Sequence, residues 1–510
     1  MSEPTTSPVV STRAGGVRGR WEGGLAVFRG IPFAAPPVGR RRFQEPEPAE
    51  PWDGVREADV YGPPPPQSFL GPPPSTPAVS GPVRHDPTDW LTLNVWTPDP
   101  GSAGLPVMVW TPGGGYRFGT SSDPAYDGGA LARDGVVVVT ANHRVGVEGY
   151  AELGGAPANR ALLDQIAALR WAQEEIVAFG GDPARVTVFG QSAGAGAIAA
   201  LMVMPTAAGL FARAVAQSVP GTFFTPALAA DISAELTAPL GLEPRAAALA
   251  DVAPERLLDA LAQLDRRMPA MDRWGLVAGG LTPFSPVVDG EVLPTDPWSG
   301  LSAGAGRDVR LLVGHNRDEW RLFLALGGLL GAVTEEMADA TMELLGPGPD
   351  AAARMRAAYP AANAEELFVL AHSDREFRMP SLQLAAVHTA GGGRSHLYEL
   401  TWPAPGSGGV LGACHFLDVP LVFGVLDRGQ ATQLLGAPPA AEAGEVSALM
   451  QTAWTAFARD GQPGWAAYDE QQRITRVFDH GNSDGVRAYP EEASRRLWAD
   501  TTPAVLDVRR

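Results

Sequence analysis

Val186–Gly194 reads VTVFGQSAG and runs on into AGAIAALMVMP. The opening VTVF is a short β-branched, apolar run of the kind that forms a buried strand. Gly190, Gln191, Ser192, Ala193 and Gly194 then spell G-x-S-x-G, and small residues follow. In a chain with 60 glycines the pentapeptide alone is a weak signal, expected by chance roughly a few tenths of once. Its setting is more specific, because a strand runs directly into it and a small-residue helix leaves it, the arrangement of a nucleophile elbow. Ser192 would sit on a strained turn above a helix N-terminus, whose partial positive charge favours an anionic intermediate. Gly190 and Gly194 would leave room where neighbouring backbones approach. The bland alternative is an ordinary glycine-rich turn between a strand and a helix.

Outward from this stretch, similar short runs recur at Val107–Trp110 (VMVW), Val136–Ala141 (VVVVTA), Val309–Val313 (VRLLV) and His396–Leu400 (HLYEL). They alternate with helical patterns. The clearest spans Asn159 to Phe179, with Leu162, Ile166, Leu169 and Ile176 at helical spacing, Asn159 as its cap and Gly180 as its stop. This alternation predicts an α/β fold with a mostly parallel central sheet and helices on both faces. Pro220–Ser285 and Trp320–Arg394 are rich in Ala and Leu without strong strands, and are expected to be helical insertions over the sheet. The proline-rich stretch Gly62–Pro82 is expected to be an extended surface loop, since proline lacks an N–H and fixes φ. For 510 residues the size prior suggests several domains. The expectation here is instead one enlarged catalytic domain over residues 1–510, with insertions at about 220–285 and 320–394.

Composition excludes several classes of function. A net charge of −18 repels nucleic acid and anionic membranes, so neither is expected as a partner. All 39 basic residues are arginine, which removes lysine-dependent phosphate loops, Schiff bases and lysine-assisted nucleophiles. The single cysteine, Cys414, allows no intramolecular disulfide and no thiolate metal site. None of the eight histidines falls in HExxH. No apolar run of membrane-spanning length occurs, and Met1–Gly15 lacks the order of a signal peptide. A soluble cytoplasmic protein, monomeric or a small homo-oligomer, is the expectation.

A serine nucleophile needs N–H donors fixed where negative charge develops. Trp110–Gly119 (WTPGGGYRFG) follows a strand and offers three successive glycines, which let backbone approach a substrate closely. The oxyanion hole is assigned to the N–H groups of Gly114, Gly115 and Ala193; the alternative is a plain flexible turn.

With these motifs in view, the chain resembles the type B carboxylesterases, the family of para-nitrobenzyl esterases, mammalian carboxylesterases and cholinesterases, over nearly its whole length. Phe28–Phe43 (FRGIPFAAPPVGRRRF), Leu91–Pro98 (LTLNVWTP) and Phe179–Gly194 (FGGDPARVTVFGQSAG) carry the likeness. The resemblance implies an α/β-hydrolase fold and a Ser, acid, His order. Gly314–Glu319 (GHNRDE) then supplies the acid as Glu319, and Gly412–Gly424 (GACHFLDVPLVFG) supplies His415. Asp318 could be the acid on chemistry alone, but the family pattern favours Glu319. Cys414 could be a thiol nucleophile, though no elbow surrounds it. Ser218 resembles a serine that lies behind the family's catalytic groups, or is a capping or turn serine. Several positions depart from the family: Pro112 before the three glycines, Gln191 in place of Glu before the nucleophile, Trp320 in place of Gly beside the acid, and Trp90 where a cysteine is common.

Together these readings predict cleavage of carboxylic esters through an acyl-enzyme, with no cofactor and no metal, on broad-range or bulky and aryl esters. Tyr116, Phe118, Trp320 and Phe323 are the candidate pocket residues, from their positions beside the motifs; Gln191 and Ser218 are candidates to support the catalytic groups. An amidase or carbamate hydrolase would use the same groups. From another class, a catalytically inactive binding relative would keep the fold and lose the serine, which is present here.

Overall fold

In the computed structural model, which describes residues 6–69, 81–84, 86–482 and 484–509, the apolar runs assemble into an eleven-stranded sheet. Its strands are β1 (Arg20–Glu22), β2 (Leu25–Pro32), β3 (Thr92–Thr97), β4 (Leu105–Thr111), β5 (Val137–Ala141), β6 (Gly181–Gln191), β7 (Arg213–Gln217), β8 (Arg310–Asn316), β9 (Arg394–Leu400), β10 (Ile474–Phe478) and β11 (Val486–Ala488). Across the sheet they lie in the order β11-β10-β9-β8-β7-β6-β4-β5-β3-β2-β1. From β10 to β5 every pairing is parallel, and the edges are antiparallel. The chain leaves β4 to one side for β5 and returns to its other side for β6. That reversal opens a crevice at the carboxyl ends of β4 and β6, where open α/β sheets bind ligands.

Alternate residues of each strand enter different cores. Val107, Val109, Val186, Val188, Ala214, Ala216, Leu311 and Val313 face Leu162, Ile166 and Leu169 of helix α1 (Arg160–Glu175). Met108, Trp110, Phe189, Val215, Leu312 and Tyr398 face the other way, onto Trp454 and Phe457. Burial on both faces is why these strands read as continuous apolar runs rather than alternating ones.

Helix α1 continues as a tight turn over Ile176–Phe179 and stops at Gly180, whose φ of 85° is left-handed. Its start differs from expectation. Asn159 does not cap the helix: it is itself left-handed (φ 55°), and its side chain makes no cap hydrogen bond. Instead Asn159 Nδ2 donates to Val287 O and its Oδ1 accepts from Val287 N, each at 2.8 Å. The side chain is a brace between α1 and the end of the first insertion, and this long-range use wins over the local cap.

Both insertions are helical. The first carries α3 (Pro226–Thr237) and α4 (Pro254–Arg267), after α2 (Ala193–Leu201) has followed the elbow. The second carries α5 (Glu335–Leu345), α6 (Ala364–Ser373) and α7 (Met379–Ala390), with a widened π-type turn at Asp374–Arg378 joining the last two. Of the proline-rich stretch, residues 70–80 lie outside the described residues. The flank before them is not a surface loop: Tyr61, Gly62, Pro63 and Pro65 are buried, and Pro63 O accepts from Asn142 Nδ2 at 3.1 Å. Proline rules out helix and central strand there, but it does not rule out burial.

Candidate active site

Strand β6 ends at Gln191, and Ser192 takes φ 56° and ψ −127°, a strained conformation for a residue with a Cβ. The turn is held from both sides: Ser192 N donates to Gln217 O at the end of β7 (2.9 Å), and Gly196 N donates back to Ser192 O (3.0 Å). A Cβ on Gly194 would stand 2.2 Å from Thr111 O of β4, so only glycine lets the elbow close against that strand.

The glycine loop leaves β4 beside it. Gly114 has φ 116°, and a Cβ there would fall 2.1 Å from Phe118 O. Among the described residues no carbonyl takes the N–H of Gly114 or Gly115. The N–H of Ala193 is the first of α2, where the helix offers no acceptor. These three N–H groups are therefore unspent, as donors to a developing oxyanion must be.

Two further loops converge on the serine. Glu319 and His415 are buried, and Glu319 Oε2 lies 2.6 Å from His415 Nδ1. The other carboxylate oxygen accepts from Ser218 Oγ (2.6 Å) and from Asn316 N (2.8 Å), so both oxygens of the carboxyl group are held. Ser218 follows β7, Glu319 follows β8, and the loop carrying His415 follows β9, which places them on successive strands. The acid and histidine loops are also joined through their backbones, Asp318 N to Ala413 O (2.9 Å) and His415 N to Glu319 O (3.1 Å). Asp318 points away: its Oδ2 accepts from Ala413 N at 2.9 Å, so it braces the histidine loop and does not meet the imidazole. Burial pushes the Cys414 thiol well above its ordinary value, with the charge of Glu319 adding to it. A thiol kept protonated is no nucleophile.

With Nδ1 donating to the carboxylate, His415 Nε2 is an acceptor. Gln191 Nε2 meets it at 3.1 Å. The Ser192 hydroxyl makes no hydrogen bond among the described residues, although Ser192 and His415 line one cavity. That cavity, of about 240 Å³, is walled by Phe69, Phe118, Tyr126, Phe323 and Phe416 among others. A smaller one of about 80 Å³ also reaches Ser192, past Gly115 and Ala193, between Leu276–Phe284 of the first insertion and Arg375–Phe377 of the second.

Of the pocket residues expected from sequence, Phe118 and Phe323 line the large cavity and Tyr116 the small one. Trp320 lines neither. It stacks on His372 at 4.0 Å between ring centroids and borders a separate cavity of about 180 Å³ with Glu376. Adjacency to Glu319 in sequence did not aim its ring at the serine, because residues beside each other point apart. Sequence reasoning missed Phe377, whose ring lies 4.4 Å from that of His415, and Asp123 and Phe69 in the large cavity. Phe377 sits in a helical insertion remote from any motif and left no local signal.

A sequence profile described as the carboxylesterase family matches residues 6–483. A para-nitrobenzyl esterase of Bacillus subtilis is 37% identical over 492 residues, covering 93% of this chain and 95% of that protein. A phenmedipham hydrolase of Pseudarthrobacter oxydans is 32% identical over 474 residues, covering 90% and 91%. Among solved structures, a Geobacillus stearothermophilus carboxylesterase is similar at a TM-score of 0.81 and 33% identity, covering 96% of this chain and 99% of that one.

Proposed function

The chain belongs to the carboxylesterase family, with its α/β-hydrolase fold, and is a carboxylic ester hydrolase; on that premise we propose that Ser192, His415 and Glu319 are its catalytic triad. The observation that carries this reading is the 2.6 Å contact of Glu319 with His415 Nδ1 beside the strained Ser192. Ser192 Oγ attacks the ester carbonyl as His415 Nε2 takes its proton, and Glu319 holds the imidazole in the required tautomer. The oxyanion accepts from the N–H groups of Gly114, Gly115 and Ala193. His415 then protonates the departing alcohol, and water releases the acid by the same steps in reverse. For the serine to reach Nε2, the Gln191 amide must yield that position when substrate enters.

Leaving-group protonation also orients the substrate. The alcohol departs on the His415 side, which is the large cavity, and the acyl group occupies the small one. Bulky or aryl alcohols joined to short acyl groups are the preferred esters. The para-nitrobenzyl esterase relative supports this choice. Both insertions form walls of one catalytic domain in this reading. Ser192→Ala is expected to lower turnover of para-nitrophenyl acetate by roughly 10⁴- to 10⁶-fold, with loss of labelling by a fluorophosphonate. A variant that keeps most of its turnover refutes the assignment.

A further inference from the structure

Ser192 lies beyond the carboxyl ends of the central strands; at their amino ends stands a row of arginines. Arg213, Arg310 and Arg394 open β7, β8 and β9 and are partners in register. Their side chains therefore leave one face of the sheet side by side, on strands roughly 4.8 Å apart. On that face Val215 and Leu312 meet Trp454 and Phe457, and the helix carrying those rings, Ala441–Asp460, ends over the row. Arg185 of β6 donates to Gly104 O (2.6 Å) and to Arg459 O (2.7 Å). Arg310 Nη1 donates to Asp460 O, and a Cβ on Gly461 would stand 2.4 Å from Arg310 Cδ, so the glycine after the helix makes room for it. Capping of helix carbonyls thus accounts for Arg185 and for part of Arg310.

It does not account for Arg213. The Nε and Nη1 of this half-exposed side chain are shut off from solvent without a hydrogen-bond partner. Burial lowers its pKa, as do the charges of Arg310 and Arg185, and only Asp460 pulls the other way. Among the described residues none of these arginines forms an ion pair, with Asp460 or with any other acid. Beside Arg213 in register on β6, Thr187 Oγ1 is also buried and unpartnered. Orphaned donors among like charges are unfavourable until an anionic acceptor joins them. A phosphate group suits the set, because it brings several acceptor oxygens and about two negative charges to forked arginine donors; a carboxylate brings only one charge. In a chain of net charge −18 this positive row is a local feature and not the background.

We propose that the amino ends of β6 to β9 form a binding site for a phosphate group, seated on Arg213 and Thr187 and flanked by Arg310 and Arg394. The ligand is a small phosphate, either the free ion or one carried on an organic molecule. The site shares no residue with ester hydrolysis and stands or falls apart from the triad.

The test is calorimetric titration of the full chain at neutral pH with inorganic phosphate and, separately, with glycerol 3-phosphate, sodium chloride holding the ionic strength constant. One saturable site is expected. Tighter binding of inorganic phosphate identifies the free ion as the ligand, and tighter binding of glycerol 3-phosphate an organic phosphate. Arg213→Gln should weaken binding by roughly tenfold or more. Thr187→Val, which keeps the shape of the side chain and removes its hydroxyl, should weaken it by roughly threefold or more. Both variants should keep the parent's kcat/KM on para-nitrophenyl acetate, which shows that the sheet is intact. Absence of saturable binding of either probe in the millimolar range overturns the proposal. So does an affinity that survives Arg213→Gln, or one that falls with it yet ignores Thr187→Val, the pattern of general charge attraction. Should Arg213→Gln fail to fold, Thr187→Val decides by itself: an unchanged affinity overturns the site.

Discussion

At His415 the imidazole is bounded by Glu319 at Nδ1 and by Gln191 at Nε2. A neutral amide in the second position donates to the ring's lone pair and offers nothing to a proton there. Gln191→Glu would place a carboxylate about 3 Å from Nε2 and favour the protonated ring. The acid limb of the kcat/KM profile, which reports the free enzyme, should then move to higher pH by roughly one unit; an unmoved limb would mean that residue 191 does not face the imidazole before substrate binds. Much of this residue-level picture was legible in sequence. Ser192 was marked by the strand before it and the small residues after it, and Glu319 and His415 by resemblance. The choice between Asp318 and Glu319 was not legible from chemistry, since both are acids in one loop. The resemblance favoured Glu319, and the side chains differ in direction: Asp318 turns to Ala413 N and Glu319 to the ring.

Among the elements, α1 shows where local rules stop. Its apolar face and its glycine stop follow from spacing and from Gly180, but Asn159 serves the segment at Val287 and not the helix it precedes. Asn159→Ala removes both hydrogen bonds to Val287 and places alanine in the left-handed region. A loss of about 2 to 4 kcal/mol is expected, read as a lower Tm. Asn159→Asp, which keeps the acceptor alone, should fall between the two; a Tm equal to the parent's in Asn159→Ala would show that the brace carries no stability. Strand β7 (RAVAQ) was also faint in sequence, being short and alanine-rich, yet it supplies Gln217 O to Ser192 and precedes Ser218. Alanine suits it because helix α2 and its small residues pack closely on that strand, a tertiary circumstance with no β-propensity signal.

For the molecule as a whole, buried titratable groups act in opposite senses. His372 lies against Trp320 with its Nδ1 unpartnered, and burial lowers it to about 3. A histidine held neutral in the fold takes its proton more readily when unfolded, near about 6.5. Its contribution is whole above that pH and is lost as pH falls toward 3. Asp374 and Asp418, raised to about 6 by burial, act the other way and gain on acidification. His372→Phe isolates the first effect: between pH 7 and pH 4 the variant should gain on the parent by up to about 3 kcal/mol, followed as the difference in Tm. A gap that stays constant with pH would place the ring in water. At this scale the division between sequence and structure is plain. The amino-acid order alone determined the parallel sheet, the elbow and the glycine loop, because each depends on residues within a few positions of one another; the acid and the histidine were marked by resemblance. Tertiary structure decided that Gln191 meets a ring 224 residues away, that Phe377 walls it, and that Trp320 does not reach the serine. Those outcomes depend on where packing aims side chains from distant segments, and short-range preferences carry no information about that direction.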